Sequence, residues 1–501
     1  MTVNYFIEME ASALMRPYKV ELLKQLPQDY SLIFKWFIAL TELNRPSYHT
    51  KEAMTTVIEW FKKMGATAEP DTYGNCLFSI PATPGKENVQ SLVIQGHLDI
   101  VSVGKFEEGG KVPLKIENGY LTSGVSTIGA DDGIAVAVML ALCEEKDKFE
   151  HGPLEFLVTV DEEVGLFGAT KLPGPPYIKS RALLNIDSEE WGTFYSSCAG
   201  GINIFYEYDV HREDYSGKTV KVAVTDFVSG HTGLMINEGR ANAVKWMVRL
   251  LQETKNTIAF RLVDIAGGDK HNAIPESCVA HVVVENVDAF KAKMAELHEA
   301  AYKEYKAIEK KNPKISFEEV EAKKAMIEAD STKILDLITT LYHGVWMMHP
   351  EIKGLVNTSQ SVSVTKFDGD HLLINVFART NEVTQMEFLI NTAEAVARMA
   401  GVKVRIPKDE MVKPWPAALT SRITDFSVSA FEKLYGKKPH ITGIHAGLEC
   451  GAIQNQGYPD LEAISFGPEI HGAHTVNEEA EIDSCCKCYQ LALEIVKEWA
   501  K

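Results

Sequence analysis

Three apolar stretches of this 501-residue chain end in carboxylates or imidazole. Leu154-Glu155-Phe156-Leu157-Val158-Thr159-Val160 has the β-branched composition of a buried strand and runs into Asp161-Glu162-Glu163-Val164-Gly165. Ser91-Leu92-Val93-Ile94-Gln95 runs into Gly96-His97-Leu98-Asp99, and Ala182-Leu183-Leu184-Asn185-Ile186 into Asp187. Gly129-Ala130-Asp131-Asp132-Gly133 stands at a helix entry, and the loop over 467–478 contributes His471 and His474. The carboxyl ends of strands in open α/β sheets are where ligands sit. Nitrogen and oxygen donors without thiolate suit zinc, manganese or cobalt. A pair of such ions about 3.5–4 Å apart needs a shared carboxylate to screen their repulsion. His97 and Asp99 occupy alternate positions and share a face, so one can bind metal while the other fixes its tautomer. Singly, each residue has an ordinary account: a solvated acidic turn, a helix N-cap at Asp131, loop histidines at 471 and 474. Their occurrence together is what points to a two-metal centre.

The elements around these residues predict how they are positioned. After a helical region over about 18–65, strand-like and helical segments alternate to about residue 200, which predicts an α/β layer with a mostly parallel sheet. Past Cys198-Ala199-Gly200-Gly201 the pattern changes. Strands over 219–226, 258–265, 278–285 and 315–320 and helices over 241–254 and 287–310 give a β-α-β-β-α-β order, a small ferredoxin-like unit. Residues 332–406 give helix, strand, strand, helix and strand, a partial repeat. From Pro414-Trp415-Pro416 the α/β character returns and closes on a C-terminal helix over 486–501. The reading is therefore a catalytic domain in two parts, 1–200 and 408–501, interrupted by an inserted α+β lid at 201–407.

Composition narrows the classes. Hydrophobic residues at 45% and charged residues at 24% are those of a soluble globular chain, and no apolar run is long enough to span a membrane. A net charge of -18 argues against nucleic acid, because phosphate neutralisation needs a basic face. Met1–Glu10 lacks a basic start and an apolar core, so no secretory leader is expected and the expected compartment is the cytoplasm. The eight scattered cysteines read as reduced thiols, with Cys485, Cys486 and Cys488 as helix residues and not a metal site.

The joint order resembles the co-catalytic dinuclear-zinc peptidases and aminoacylases, and within them the aminoacyl-histidine dipeptidase (carnosinase-like) branch. The resemblance rests on Gln95–Asp99, Gly129–Ile134, Asp161–Gly165, Asn185-Ile186-Asp187-Ser188-Glu189-Glu190-Trp191-Gly192, His445-Ala446-Gly447-Leu448-Glu449-Cys450-Gly451 and His474-Thr475-Val476-Asn477-Glu478. It implies a zinc-exopeptidase-type catalytic domain. His97 and Asp187 would hold one metal, Glu163 and His474 the other, and Asp131 would bridge. Asp131 is preferred to Asp132 because it directly follows the small residue, and His474 to His471 because of the His-Thr-Val-Asn-Glu context. Glu162 would be the general base and Asp99 the partner of His97. His231 in Gly230-His231-Thr232-Gly233 would face the oxyanion. Asn272 and Arg379 would grip the substrate carboxylate, and Glu449 would receive its ammonium. The implied activity is hydrolysis of dipeptides with a free amino terminus, Xaa-His among them, by a hydroxide bridging two ions, with zinc expected and manganese or cobalt open. In much of that family the histidine comes from a partner subunit. A duplicated lid would let one chain supply it, and a homodimer stays open. An N-acyl amino-acid deacylase or other exopeptidase on the same scaffold is the alternative, and a non-catalytic metal-binding scaffold the third.

Overall fold

The computed structural model describes residues 14–417 and 420–501; the N-terminal stretch read for a leader lies outside them. The chain forms two compact units. The first comprises residues up to Cys198, Ala417–Gly443 and Leu448–Lys501, and the second Ala199–Pro416 and Ile444–Gly447. The second crossing thus falls at Pro416, later than residue 407, and a four-residue segment at 444–447 returns to the second unit.

The first unit is built on an eight-stranded sheet in the order Thr67–Pro70, Cys76–Ile80, Leu154–Thr159, Leu92–His97, Ala182–Asn185, Glu462–Ser465, Thr193–Cys198, His440–Ile444. The pairings of Leu92–His97 with both neighbours and of Ala182–Asn185 with Glu462–Ser465 are parallel; Cys76–Ile80 pairs antiparallel with Thr67–Pro70 and Leu154–Thr159, and Glu462–Ser465 with Thr193–Cys198. This α/β unit with a mostly parallel centre follows from the composition of its strands. Leu92–His97, Leu154–Thr159 and Ala182–Asn185 are buried at every position, as strands covered on both faces must be. The helix Ala130–Glu144, buried along almost its whole length, packs against Leu92–His97 and Ser31–Leu40. Ile482–Trp499 completes the same core and carries Cys485, Cys486 and Cys488 inside it, which is why they are buried free thiols. A small sheet of Lys115–Glu117, Tyr120–Thr122, Glu479–Glu481 and Ile470–His471 holds the loop that carries His474.

The second unit is a nine-stranded antiparallel sheet covered by four long helices. Lys218–Thr225, Ala243–Lys255, Phe260–Gly267, Cys278–Val284, Val287–Tyr305 and Lys314–Val320 form one β-α-β-β-α-β unit with spatial strand order fourth, first, third, second. A second such unit is made of Gly200–Asp209, Glu328–Thr340, Val356–Asp368, His371–Thr380, Val383–Ala400 and Lys403–Arg405, with the same order reversed. The first is inserted between the opening strand and first helix of the second. The Gly267–Thr365 pairing joins the two into one sheet. Among the described residues, no helix is long and apolar enough to cross a membrane.

Candidate active site

In the first unit, strand ends and a helix start converge. Leu92–His97 delivers His97 because Gly96 lets the strand lie against the helix. A Cβ there would meet Asp132 Oδ2 at 2.4 Å and the Ala135 Cβ at 2.5 Å. Gly129, at φ 65°, turns the chain into the helix that starts Ala130-Asp131-Asp132, with Arg45 against it. Arg45 is buried and donates to the carbonyls of Leu98 and Gly129, both at 2.7 Å, tying the strand end to the helix entry. Glu478 accepts from the backbone N–H groups of Ile128, Gly129 and Ala130, which satisfies donors a helix start leaves open.

Asp131 lies between two histidines. Its Oδ1 is 3.1 Å from His97 Nε2 and its Oδ2 3.0 Å from His474 Nε2. His474 Nε2 is also 2.8 Å from Glu163 Oε2, and His97 Nε2 is 3.5 Å from Asp187 Oδ1. Among the described residues, three groups have one ligand atom from each residue within 4.8 Å of the others: Asp131, Glu163 and His474; His97, Asp132 and Asp187; His97, Glu162 and Glu163. Asp132 also accepts from the His97 backbone N–H at 3.1 Å. Glu163 Oε1 is buried with no hydrogen-bond partner, an oxygen whose burial a cation would offset. The donor set is imidazole and carboxylate alone, and it fits a pair of divalent ions.

Charge is concentrated here. Burial works against ionisation of Asp131, yet its hydrogen bonds with His474 and His97 hold it below the usual carboxylate range. Burial raises Glu163 to about 7 and, with the charges of Asp187, Glu163 and Glu449, raises Glu162 well above its ordinary value. Burial opposes protonation of His474, but its hydrogen bonds to Asp131 and Glu163 raise it to about 11. An excess of buried negative charge of this kind is what bound cations balance.

The turn after Leu154–Thr159 separates the three acids. Asp161, at φ 57°, points away and accepts from Tyr48 N–H and Tyr73 O–H. Glu162 and Glu163 donate their backbone N–H groups to Asp99, whose carboxylate also accepts from Ser47. That carboxylate is therefore engaged in pinning the turn. The His97 Nδ1 contact at hydrogen-bond distance is the main-chain carbonyl of Asp99, at 3.0 Å, with the carboxylate at 3.6 Å. His471 pairs instead with Glu469 and Glu479, apart from Asp131 and Glu163.

The second unit gathers a basic cluster. His231 and Asn272 are brought together by the Gly230–His231 and Ala273–Ile274 pairing, where the Asn272 carbonyl accepts from Thr232 N–H. Arg379 is buried, lies 3.1 Å by Nη2 from His231 Nε2, and rests on the Phe377 ring with its guanidinium carbon 4.6 Å from the centroid. Burial lowers Arg379 to about 10. His445, in the segment that returns to this unit, stands between Ser359 Oγ at 2.7 Å and Asn381 Oδ1 at 3.0 Å.

A model of peptidase family M20/M25/M40 matches residues 93–498. The chain belongs to this family. As an M20 member it is a peptide-bond hydrolase. It is 31% identical over 473 residues to a cytosol non-specific dipeptidase of Escherichia coli, covering 92% of this chain and 96% of that protein. An aminoacylhistidine dipeptidase from Vibrio alginolyticus has a similar structure, with TM-score 0.81 and 29% identity over 95% of this chain and 97% of that one. The aminopeptidase PepT of Bacillus cereus shares the fold at TM-score 0.56 and 16% identity, over 95% of this chain and 100% of that one.

Within this M20 site, the residues that sequence patterns did not select are those acting through the backbone. Arg45 in Asn44-Arg45-Pro46 carries no motif, and Glu478 looked like the tail of the His474 motif. A row of buried polar side chains crosses the sheet below the converging strand ends. Asn185 Nδ2 donates to Gln95 Oε1 at 2.7 Å, and Gln95 Nε2 reaches Thr159 Oγ1 at 3.2 Å and Glu449 Oε2 at 2.5 Å. Gln95 and Asn185 each lie two residues before a site residue, on the same strand face. That spacing was the available signal.

Proposed function

We propose that this chain is a metal-dependent dipeptidase acting on dipeptides with a free amino terminus, with Xaa-His substrates such as alanyl-histidine and carnosine among them. The observation that carries the reading is Asp131, whose two oxygens face His97 and His474 separately at about equal distance. One carboxylate so placed suits a bridge between two ions, held on one side by His97 and Asp187 and on the other by Glu163 and His474. When bound, two divalent cations, zinc by the donor set, would polarise the scissile carbonyl and lower the pKa of a water from ~15.7 toward ~7.

The chain's own side chains supply the rest. Glu162, placed by the Asp99 bond to its backbone, takes a proton from the attacking water and delivers it to the departing nitrogen. Asp99 holds the His97 ring through its carbonyl and fixes the tautomer that leaves Nε2 to face Asp131. Arg379, buried and bonded to no carboxylate among the described residues, supplies a fork of donors for the substrate's carboxylate, with Asn272 beside it. His231 supplies a donor for the developing oxyanion. Eight buried free thiols support a reducing, cytoplasmic setting.

The test is hydrolysis of alanyl-histidine and carnosine by the zinc-loaded protein, compared with Glu162→Gln. Loss of a general base lowers kcat by about 10²–10⁴-fold with metal content unchanged. Equal rates in the two proteins would remove the mechanism.

A further inference from the structure

The second unit carries two rings beside Arg379 that the reading above leaves without a task. Phe377 and Arg379 lie two residues apart on the strand His371–Thr380 and share a face. Gly201 pairs with Arg379 on the neighbouring strand, and its missing side chain makes room there. A Cβ at Gly201 would come within 2.8 Å of the Phe377 Cζ. The Phe377 ring therefore reaches toward Gly201, with the Arg379 guanidinium carbon 4.6 Å from its centroid. His271 completes the group. Its ring meets Phe377 edge to face, with centroids 4.8 Å apart and planes at 75°, the arrangement aromatic pairs favour.

His271 differs from its two neighbours. Phe377 and Arg379 are buried, whereas His271 is exposed. Among the described residues its ring makes no hydrogen bond, so stacking alone holds it. Burial of part of the ring, and then the charge of Arg379, lowers its pKa, which leaves the imidazole neutral at neutral pH. An uncharged flat ring thus stands open to solvent beside a buried guanidinium.

In a dipeptide the carboxylate and the side chain of the last residue branch from one Cα. A carboxylate seated on Arg379 therefore starts that side chain next to the guanidinium, and the neighbouring rings decide what it packs against. A planar side chain gains an aromatic contact there that an aliphatic one of equal size does not.

We propose that His271, braced by Phe377, is a stacking ledge for the side chain of the dipeptide's last residue and favours planar side chains, phenyl as well as imidazole. The proposal rests on the dipeptidase reading above, with Arg379 as the seat of the carboxylate. It widens the preferred substrates from Xaa-His to dipeptides ending in any flat ring.

The probes are two non-cleavable phosphinic dipeptide analogues that differ only in the last side chain, phenyl in one and cyclohexyl in the other. The cyclohexyl group is the more apolar, so burial alone does not favour phenyl. Each is bound to the zinc-loaded protein and followed by calorimetry. The wild-type protein binds the phenyl probe about 3–10-fold more tightly, the range of an aromatic pair. His271→Leu, of similar bulk but without a ring, removes the difference. A preference that survives the substitution overturns the proposal. So does a wild-type protein that binds the two alike or favours cyclohexyl, a result that needs no variant to fold. Turnover of alanyl-phenylalanine is measured separately. Cleavage without discrimination between the probes would refute the ledge alone, and discrimination without cleavage of any dipeptide would refute the dipeptidase reading alone.

Discussion

Arg379 and His231 meet nitrogen to nitrogen, Nη2 to Nε2 at 3.1 Å. His231 Nδ1 accepts from the backbone N–H groups of Gly233 and Leu234, at 3.3 and 3.2 Å, an acceptor role that places a ring proton on Nε2. Two donors therefore face each other in a half-buried place, an arrangement that an anionic oxygen shared between them would relieve.

That arrangement predicts how carboxylate recognition fails. Arg379→Ala should raise KM for a dipeptide by about 100-fold, the scale of a buried charge-assisted contact, and have little effect on a dipeptide amide. The wild-type preference for acid over amide should disappear. Steady-state kinetics on the acid and amide of one dipeptide checks this, and an undiminished preference would assign carboxylate binding elsewhere.

Asp131 makes a second prediction through stoichiometry. A carboxylate shared by two ions weakens both when removed. Asp131→Ala should cut zinc affinity at both positions, by more than the ~10–100-fold typical of losing an outer partner of a ligand. Metal content after dialysis against buffered zinc measures it, with Asp132→Asn as the comparison. Retention of two ions at wild-type affinity would end the bridging role.

The convergence of these residues was legible because each sits within a few positions of the strand or helix that places it: His97 after Gln95-Gly96, Asp187 after Asn185-Ile186, Glu162 and Glu163 after Val158-Thr159-Val160. Hydrophobic runs ending in acid survive translation into structure because strand burial fixes the ends. The repeat in the second unit was only half legible. Its opening strand Gly200–Asp209 lies more than a hundred residues before the helix Glu328–Thr340 that continues it, and local periodicity holds no trace of that nesting. Arg45 and Glu478 were hidden for another reason. They act on main-chain carbonyls and N–H groups, which no side-chain pattern announces. The Asp99 carboxylate, expected to orient His97, ties down the Glu162 turn, and the Asp99 carbonyl meets His97 instead.

The nested second unit makes a third prediction. It holds two ferredoxin-like units in one chain, and the proposed function has its His231 serve the centre of its own chain. A mixture of His231→Ala and Glu162→Gln proteins should then show no more activity than the two measured apart. Recovery after co-refolding would show that the histidine acts on a partner's centre.

The last prediction follows from two neutral histidines in the second unit. Burial first, and then the charge of Arg379, lowers His445 to about 3; burial and the charge of Lys245 lower His343 to about 4. In the unfolded chain both titrate near ~6.5. Below that pH the unfolded state takes up protons that the folded state refuses, so stability is full above ~6.5 and falls as the solution is acidified toward the folded values. Each such group contributes a slope approaching ~1.4 kcal/mol per pH unit in that window. Denaturant unfolding of the zinc-loaded protein between pH 7.5 and 5 should show this loss, and His343→Gln should reduce the slope by up to one proton. A variant whose pH dependence matches the wild type would mean that His343 is protonated in the folded protein, against the burial that surrounds it.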